Sequence, residues 1–265
     1  MRLTPTQVDE FAERGLLFIP KLFKAKEMRI LKEGFDAAIE QHAEGVQSGV
    51  QIAMAPHAKN TIFDLLARHP RLVEPAMQLL GDRVYVHRSK LHAKLPLTRE
   101  FLPWHQDYKR WHLSDGMPAP RAISAALFLV DVTEFNGPIV FIPGSHREGM
   151  LLRSPAGNVD HALEYRHYDI AEETLSRLVQ TYGLEAPKGP AGSAVLFDIN
   201  VAHASGANFT ADPRDIFLIA YNSVCNHLLP VASPREDDQA SRCFDPIECS
   251  ADDIFLKSRR FRWTG

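Results

Sequence analysis

Residues 101–118 read FLPWHQDYKRWHLSDGMP, with His105 and Asp107 two positions apart. On a strand, side chains at i and i+2 leave the same face. The spacing therefore predicts an imidazole and a carboxylate side by side. A second imidazole follows the apolar run SAVLF (193–197): His203, within DINVAHASG. Two histidines and one carboxylate on one face of a metal form the facial triad of non-haem Fe(II) oxygenases, which leaves coordination positions open. An H-x-D pair alone carries little information, because such pairs arise by chance at polar strand ends. Asp198, five residues before His203, is a competing carboxylate. The H-x-D spacing favours Asp107.

The flanking segments indicate what fold would hold such a triad. Val84–Lys94 alternates and is rich in strand formers, and Ala122–Val132 is an apolar run bounded by turn residues. Asn136-Gly137-Pro138 is a turn signal before a short apolar stretch, Ile139–Ile142. Ser193–Phe197 and Ile216–Val224 complete the strands. The N-terminal part reads as helices. Thr4 caps one, with Pro5 at its first position and Val8, Phe11 and Ala12 on one face, before Gly15 ends it. Leu16–Ile19 is a short strand candidate. Ala25–Gln41 places Met28, Leu31, Phe35 and Ile39 at helical spacing, and Arg71–Leu80 and Ala171–Tyr182 are further helices. Short strands after a helical layer predict a mainly β fold with flanking helices and a double-stranded β-helix core, of jelly-roll or cupin-like form. With no linker visible, residues 1–265 read as one domain. It has a helical layer to about 82, a core from about 83 to 226 and a C-terminal excursion beyond, polar and irregular over 233–253.

Two residues near His203 extend the metal site. Arg214 lies 11 residues beyond it, at the start of a predicted strand able to pair back beside it. A guanidinium there can grip a carboxylate through two parallel hydrogen bonds. Ser205 shares the face of His203 and can donate to the same group. Triad plus positioned arginine is the arrangement expected for 2-oxoglutarate as cosubstrate. Taken alone, Arg214 would read as a surface ion pair.

Composition narrows the partners. The formal net charge is −3, which gives no bulk attraction to nucleic acid or an anionic membrane. The basic cluster Lys257, Arg259, Arg260 and Arg262 reads as a solvated tail. No run approaches the roughly 18 apolar residues of a membrane span, and the N-terminus has no secretory core. Cys225, Cys243 and Cys249 are odd in number and match no zinc or disulfide framework. A cytoplasmic setting follows by default. No glycine-rich phosphate loop and no G-x-S-x-G elbow is present. Pro143–His146 reads as a turn rather than a reactive motif. A small-molecule substrate is expected, on a monomer or a homodimer.

The sequence resembles the phytanoyl-CoA dioxygenase family of Fe(II)/2-oxoglutarate oxygenases, and within it the ectoine hydroxylases. Their signature is close to WHSDFETWHxEDGMP, where this chain has WHQDYKRWHLSDGMP. The likeness continues through NGPIVFIPGSH (136–146), FDINVAHASGANFTADPR (197–214) and AYNSV (220–224), and covers about half the chain, roughly 84–225. It implies Fe(II) on His105, Asp107 and His203, with 2-oxoglutarate held by Arg214, Ser205 and Lys94. It also implies O2 as second cosubstrate and hydroxylation of an unactivated C–H. Halogenating members lack the carboxylate that Asp107 supplies. Trp111 matches an aromatic wall of the substrate pocket, and core packing is its other reading. Lys94 would otherwise be a solvated strand-end lysine.

Two positions depart from the ectoine pattern. Arg88 stands where a substrate-contacting glutamine is expected, and Leu218 where an aromatic packs on the ectoine ring. A buried guanidinium needs a partner. Two readings stand for Arg88: an anionic group on the substrate, or a protein acid. His87, His92 and His112 lie close by in sequence, of which His92 and His112 are candidates to face the pocket. The expected substrate is a small polar metabolite, anionic or zwitterionic, such as an amino-acid-like compound or an aminophosphonate. Ectoine itself is the alternative, followed by a long-chain acyl-CoA, for whose nucleotide no basic cluster stands out. A cupin-like metal enzyme not using 2-oxoglutarate is a different class again, and a non-catalytic binding protein on the same fold another.

Overall fold

Helices with one apolar stripe, and strands apolar on both faces, bury themselves only as stacked layers. The structure, a computed structural model, describes residues 1–43, 46, 47, 49–151, 170–232 and 240–257. Arg259, Arg260 and Arg262 and residues 233–239 of the polar segment lie outside the described residues. The strands are β1 (Leu16–Ile19), β2 (Val46–Gln47), β3 (Val50–Met54), β4 (Val84–Lys94), β5 (Leu102–His105), β6 (Ala122–Phe128), β7 (Ile139–Phe141), β8 (Ala194–Asp198), β9 (His203–Ser205) and β10 (Arg214–Ser223). The helices are α1 (Pro5–Arg14), α2 (Ala25–His42), α3 (Pro56–Lys59), α4 (Thr61–Ala67), α5 (Pro70–Leu80), α6 (Asp107–Asp115), α7 (Glu172–Tyr182) and α8 (Ile254–Lys257).

Seven strands form one sheet in the order β1-β8-β6-β10-β4-β3-β2, and three form another in the order β5-β9-β7. All pairings are antiparallel. This is the expected jelly-roll architecture with flanking helices. The first 82 residues are more than a helical layer, since they supply β1 to one edge of the large sheet and β2 and β3 to the other.

Alternation divides the core in two. Ile123, Ala125 and Leu127 of β6 and Phe217, Ile219 and Tyr221 of β10 pack with Leu31, Phe35 and Phe63 of the helices. Ala126 and Phe128 of β6, Val195 and Phe197 of β8 and Phe141 of β7 fill the space between the sheets. Phe217 is fully buried and lies 5.3 Å, centroid to centroid, from Phe63. Truncating such a ring costs about 3–5 kcal/mol. The Thr4 cap forms as expected, its hydroxyl accepting from Gln7 N at 3.3 Å. Ala12, placed on the apolar face by its spacing, is exposed, and its carbonyl takes the His146 Nε2 donor at 3.2 Å. All three cysteines are free and exposed. Among the described residues no helix is long and apolar enough to cross a membrane.

Candidate metal centre

His105 closes β5, and Asp107 opens α6. The two do not sit on one strand, as their spacing suggested. A strand-to-helix turn at Gln106 brings them together instead. Asp107 lies in the first helical turn, where a carboxylate favours the exposed N–H groups. Gly116 ends α6 with φ +78 and sends its N–H to Trp111 O. A Cβ there would lie 2.0 Å from Leu229 O.

Across the β5–β9 pairing His105 faces His203, with ring centroids 4.2 Å apart. His105, Asp107 and His203 each offer a ligand atom within 4.8 Å of the others. His105 Nδ1 lies 2.8 Å from Pro103 O, and His203 Nδ1 lies 3.0 Å from Val201 O. A carbonyl only accepts, so both Nδ1 atoms carry the proton and Nε2 is the nitrogen for a metal. Asp107 Oδ2 accepts from Ser124 Oγ at 3.1 Å. Burial, and then His203, push the His105 imidazole down to about 3. Burial also lowers His203. Burial would raise the Asp107 carboxyl, but His203, His105, Lys90 and Arg88 outweigh it and hold it below its ordinary value. At neutral pH the set is two neutral imidazoles and a carboxylate, the protonation a metal requires.

The carboxylate-binding candidates gather beside this triad. Arg214 and Lys94 are register partners across β10 and β4, each 1% exposed. Arg214 was expected to pair back beside His203. Its strand instead pairs with β4 and β6, so the guanidinium approaches from the opposite sheet. Lys94 is buried rather than solvated, and its Nζ donates to Ser205 Oγ at 3.0 Å and Gly206 O at 2.5 Å. Arg214 Nε donates to Gly137 O at 3.1 Å, whereas its buried Nη1 has no hydrogen-bond partner among the described residues. Burial, with Arg214 beside it, depresses Lys94 to about 7, and burial lowers Arg214 to about 10. Two adjacent buried cations with an unfilled donor suit a carboxylate.

The triad, Ser205 and Arg214 line a cavity whose empty space, solvent-open mouth included, is about 720 Å³, and Lys94 reaches it through Ser205. A β-bulge shapes its wall. Ala220 pairs with Arg88 and Tyr221 with Val86, which leaves His87 as an extra residue in β4. Beyond the bulge, Arg88, Lys90 and His92 line the cavity, while Leu91 and Ala93 face the helical core. Leu218 of β10 and Trp111 and Arg110 of α6 also line it. Both readings of Trp111 hold: it borders the cavity and is 2% exposed, with its ring 4.7 Å from His87. His87 in turn sits 3.3 Å from Asp115, at the far end of α6. His112 is not a lining residue, and its Nδ1 donates to Met117 O at 2.8 Å. Lys90, Arg110 and Ser124 were missed by the sequence reading. The alternation through Arg88 and His92 carried a signal for Lys90, and nothing comparable marked the other two.

The family profile of phytanoyl-CoA dioxygenases (PhyH) matches residues 11–216. The chain belongs to the phytanoyl-CoA dioxygenase family. The ectoine dioxygenase of Halomonas elongata is 33% identical over 94% of this chain and 74% of its own length. The L-proline trans-4-hydroxylase of Streptomyces griseoviridis is 35% identical over 89% of this chain and 92% of its own. Among solved structures, EctD from S. alaskensis with 2-oxoglutarate and 5-hydroxyectoine superposes with a TM-score of 0.81 at 29% identity, covering 94% of this chain and 87% of that one. Family membership removes the reading as a cupin-like enzyme independent of 2-oxoglutarate.

Proposed function

We propose that the protein hydroxylates an unactivated C–H of a small metabolite carrying an anionic group, at a metal held by His105, Asp107 and His203. By family it is a 2-oxoglutarate-dependent oxygenase using Fe(II), 2-oxoglutarate and O2. Bound together, these supply an oxidant that turns C–H into C–OH, with release of succinate and CO2. One observation carries the assignment of residues. A neutral-imidazole and carboxylate triad and a buried arginine with an unfilled Nη1 line one cavity.

The chain's own groups divide the work. The two histidines and Asp107 would hold the metal, and Asp107 supplies the carboxylate that halogenating relatives lack. Arg214, Ser205 and Lys94 hold the distal carboxylate of 2-oxoglutarate. Trp111 and Leu218 bound the substrate, and Arg88 meets its anionic group. The apolar surroundings of Phe197, Ile216 and Leu218 keep water from the reacting carbon. Anaerobic addition of Fe(II) and 2-oxoglutarate should give a weak visible charge-transfer band. Succinate release should then pick out an acidic or zwitterionic compound from a panel of amino acids, cyclic imino acids, aminophosphonates and ectoine, with one oxygen added by mass. No band from folded, metal-loaded protein would sink the cosubstrate assignment.

Ectoine is the second reading, favoured by the 33% identity to the Halomonas elongata enzyme. Arg88 and Leu218 in the cavity wall speak for a different occupant.

A further inference from the structure

Gln106 stands between two proposed metal ligands, and its side chain points away from them. It is 0% exposed. Its Nε2 donates to Gly149 O at 2.8 Å and to Asn200 O at 2.6 Å, while its Oε1 accepts from Leu151 N at 2.8 Å. Both amide protons and the carbonyl are thus committed, and to two separate segments. Asn200 belongs to the turn between β8 and β9, one residue before Val201, whose carbonyl orients the His203 ring. Gly149 and Leu151 belong to the chain after β7. A backbone bond from Tyr108 N to Ile199 O at 2.9 Å ties the start of α6 to the same β8–β9 turn.

His105 and Asp107 therefore reach His203 by two routes, the metal side and the Gln106 side. We propose that Gln106 is a positioning residue that sets the separation of the His105–Asp107 pair from His203, and so the geometry of the metal site. The inference rests on reading those three side chains as metal ligands. The ectoine hydroxylase signature has serine at this place. A serine side chain is too short to reach two carbonyls and an amide on separate segments, so the device belongs to this chain and not to that signature.

The test uses Co(II), which takes the place of Fe(II) without oxidation and reports geometry through its visible d–d bands. Q106M keeps the volume of the side chain and removes all three hydrogen bonds, and Q106S inserts the signature residue. F63L, in the helical core, supplies a loss of stability remote from the site. Expected are wild-type Co(II) binding in F63L and about 10-fold weaker binding in Q106M and Q106S, with shifted or broadened d–d bands. The thermal midpoint of each metal-free protein is recorded alongside. Wild-type affinity and spectrum in both Gln106 variants would overturn the proposal. So would an equal loss of affinity in F63L at matched thermal midpoint, which would reduce Gln106 to a general stabiliser. Failure of the wild-type protein to bind Co(II) would instead remove the metal reading itself. Should Q106M not fold, Q106S decides alone.

Discussion

Lys94 and Arg214 oppose each other across the β4–β10 ladder, two cations each 1% exposed, and Lys94 reaches on to Ser205 of the other sheet. The small sheet and α6 hold the proposed metal ligands, and the large sheet holds the two buried cations. Ser205 is where the two meet.

The first prediction follows from Lys94, whose pKa burial and Arg214 depress to about 7. Near pH 7 the amine is therefore divided between its neutral and charged forms. A carboxylate placed there restores the charged form, so 2-oxoglutarate binding is accompanied by proton uptake near that pH. Affinity should fall as pH rises through 7 toward 9. Calorimetry in two buffers of different ionisation enthalpy measures the uptake, and an uptake of zero at pH 7 would count against Lys94 as a contact.

Linkage gives the second. The unfolded chain holds its lysine proton up to about pH 10.4, whereas the folded chain loses it near 7. The unfolded state thus binds more protons between those values, and this group's effect on stability becomes more favourable as pH rises. Lys94→Met should raise the stability of the ligand-free protein at pH 6 by about 1–3 kcal/mol, with the gain shrinking toward pH 10. The same variant should weaken 2-oxoglutarate binding at least about 10-fold, the equivalent of 1.4 kcal/mol. Denaturant titration and calorimetry read the two effects separately.

Asp107 provides the third. Ser124 Oγ donates to its Oδ2 at 3.1 Å and orients the carboxylate. Ser124→Ala should cost about 10-fold in Fe(II) affinity, the usual effect of removing a group that orients a ligand. Asp107→Ala should cost far more and leave histidine ligands only. Competition with a chromophoric chelator measures both.

Arg88 gives the fourth. Arg88→Gln removes a charge-assisted bond of about 1.5–3 kcal/mol, so KM for an anionic substrate should rise roughly 10-fold or more while 2-oxoglutarate affinity stays put. An unchanged KM would assign Arg88 to a protein acid.

Gly137 gives the fifth. Its φ is +78, and a Cβ would stand 2.7 Å from Gly206 O and 2.8 Å from Lys94 Cδ. Its carbonyl also accepts the Arg214 Nε proton. Gly137→Ala should add about 1–2 kcal/mol of left-handed strain and displace the two buried cations, lowering thermal midpoint and 2-oxoglutarate affinity together.

Much of this was legible before the structure. The run of strand formers from Val84 to Lys94 located β4 to the residue, though not its bulge, and the stripe through Leu31 and Phe35 located α2. The proposed metal triad was legible as residues but not as geometry. α6 lacks an apolar stripe, because Lys109 and Arg110 are buried alongside Tyr108 and Trp111, so its start at Asp107 was invisible. β5 and β9 have only 4 and 3 residues, too few to show a period. The partner strands of Arg214 depend on pairing across distant sequence, which no local pattern encodes. Gln106 went unnoticed because its three partners converge only in the fold.

The bulge at His87 carries a consequence for how such an enzyme changes over time. On one side of it Val84 and Val86 face the helical core, and on the other Leu91 and Ala93 do. Deleting the extra residue, or inserting another, would turn one half of β4 inside out. Either Arg88, Lys90 and His92 would leave the cavity, or apolar residues would leave the core. Length variation is closed to this strand. Any drift toward a new substrate must pass through point substitutions at alternate positions, with the count of residues held constant.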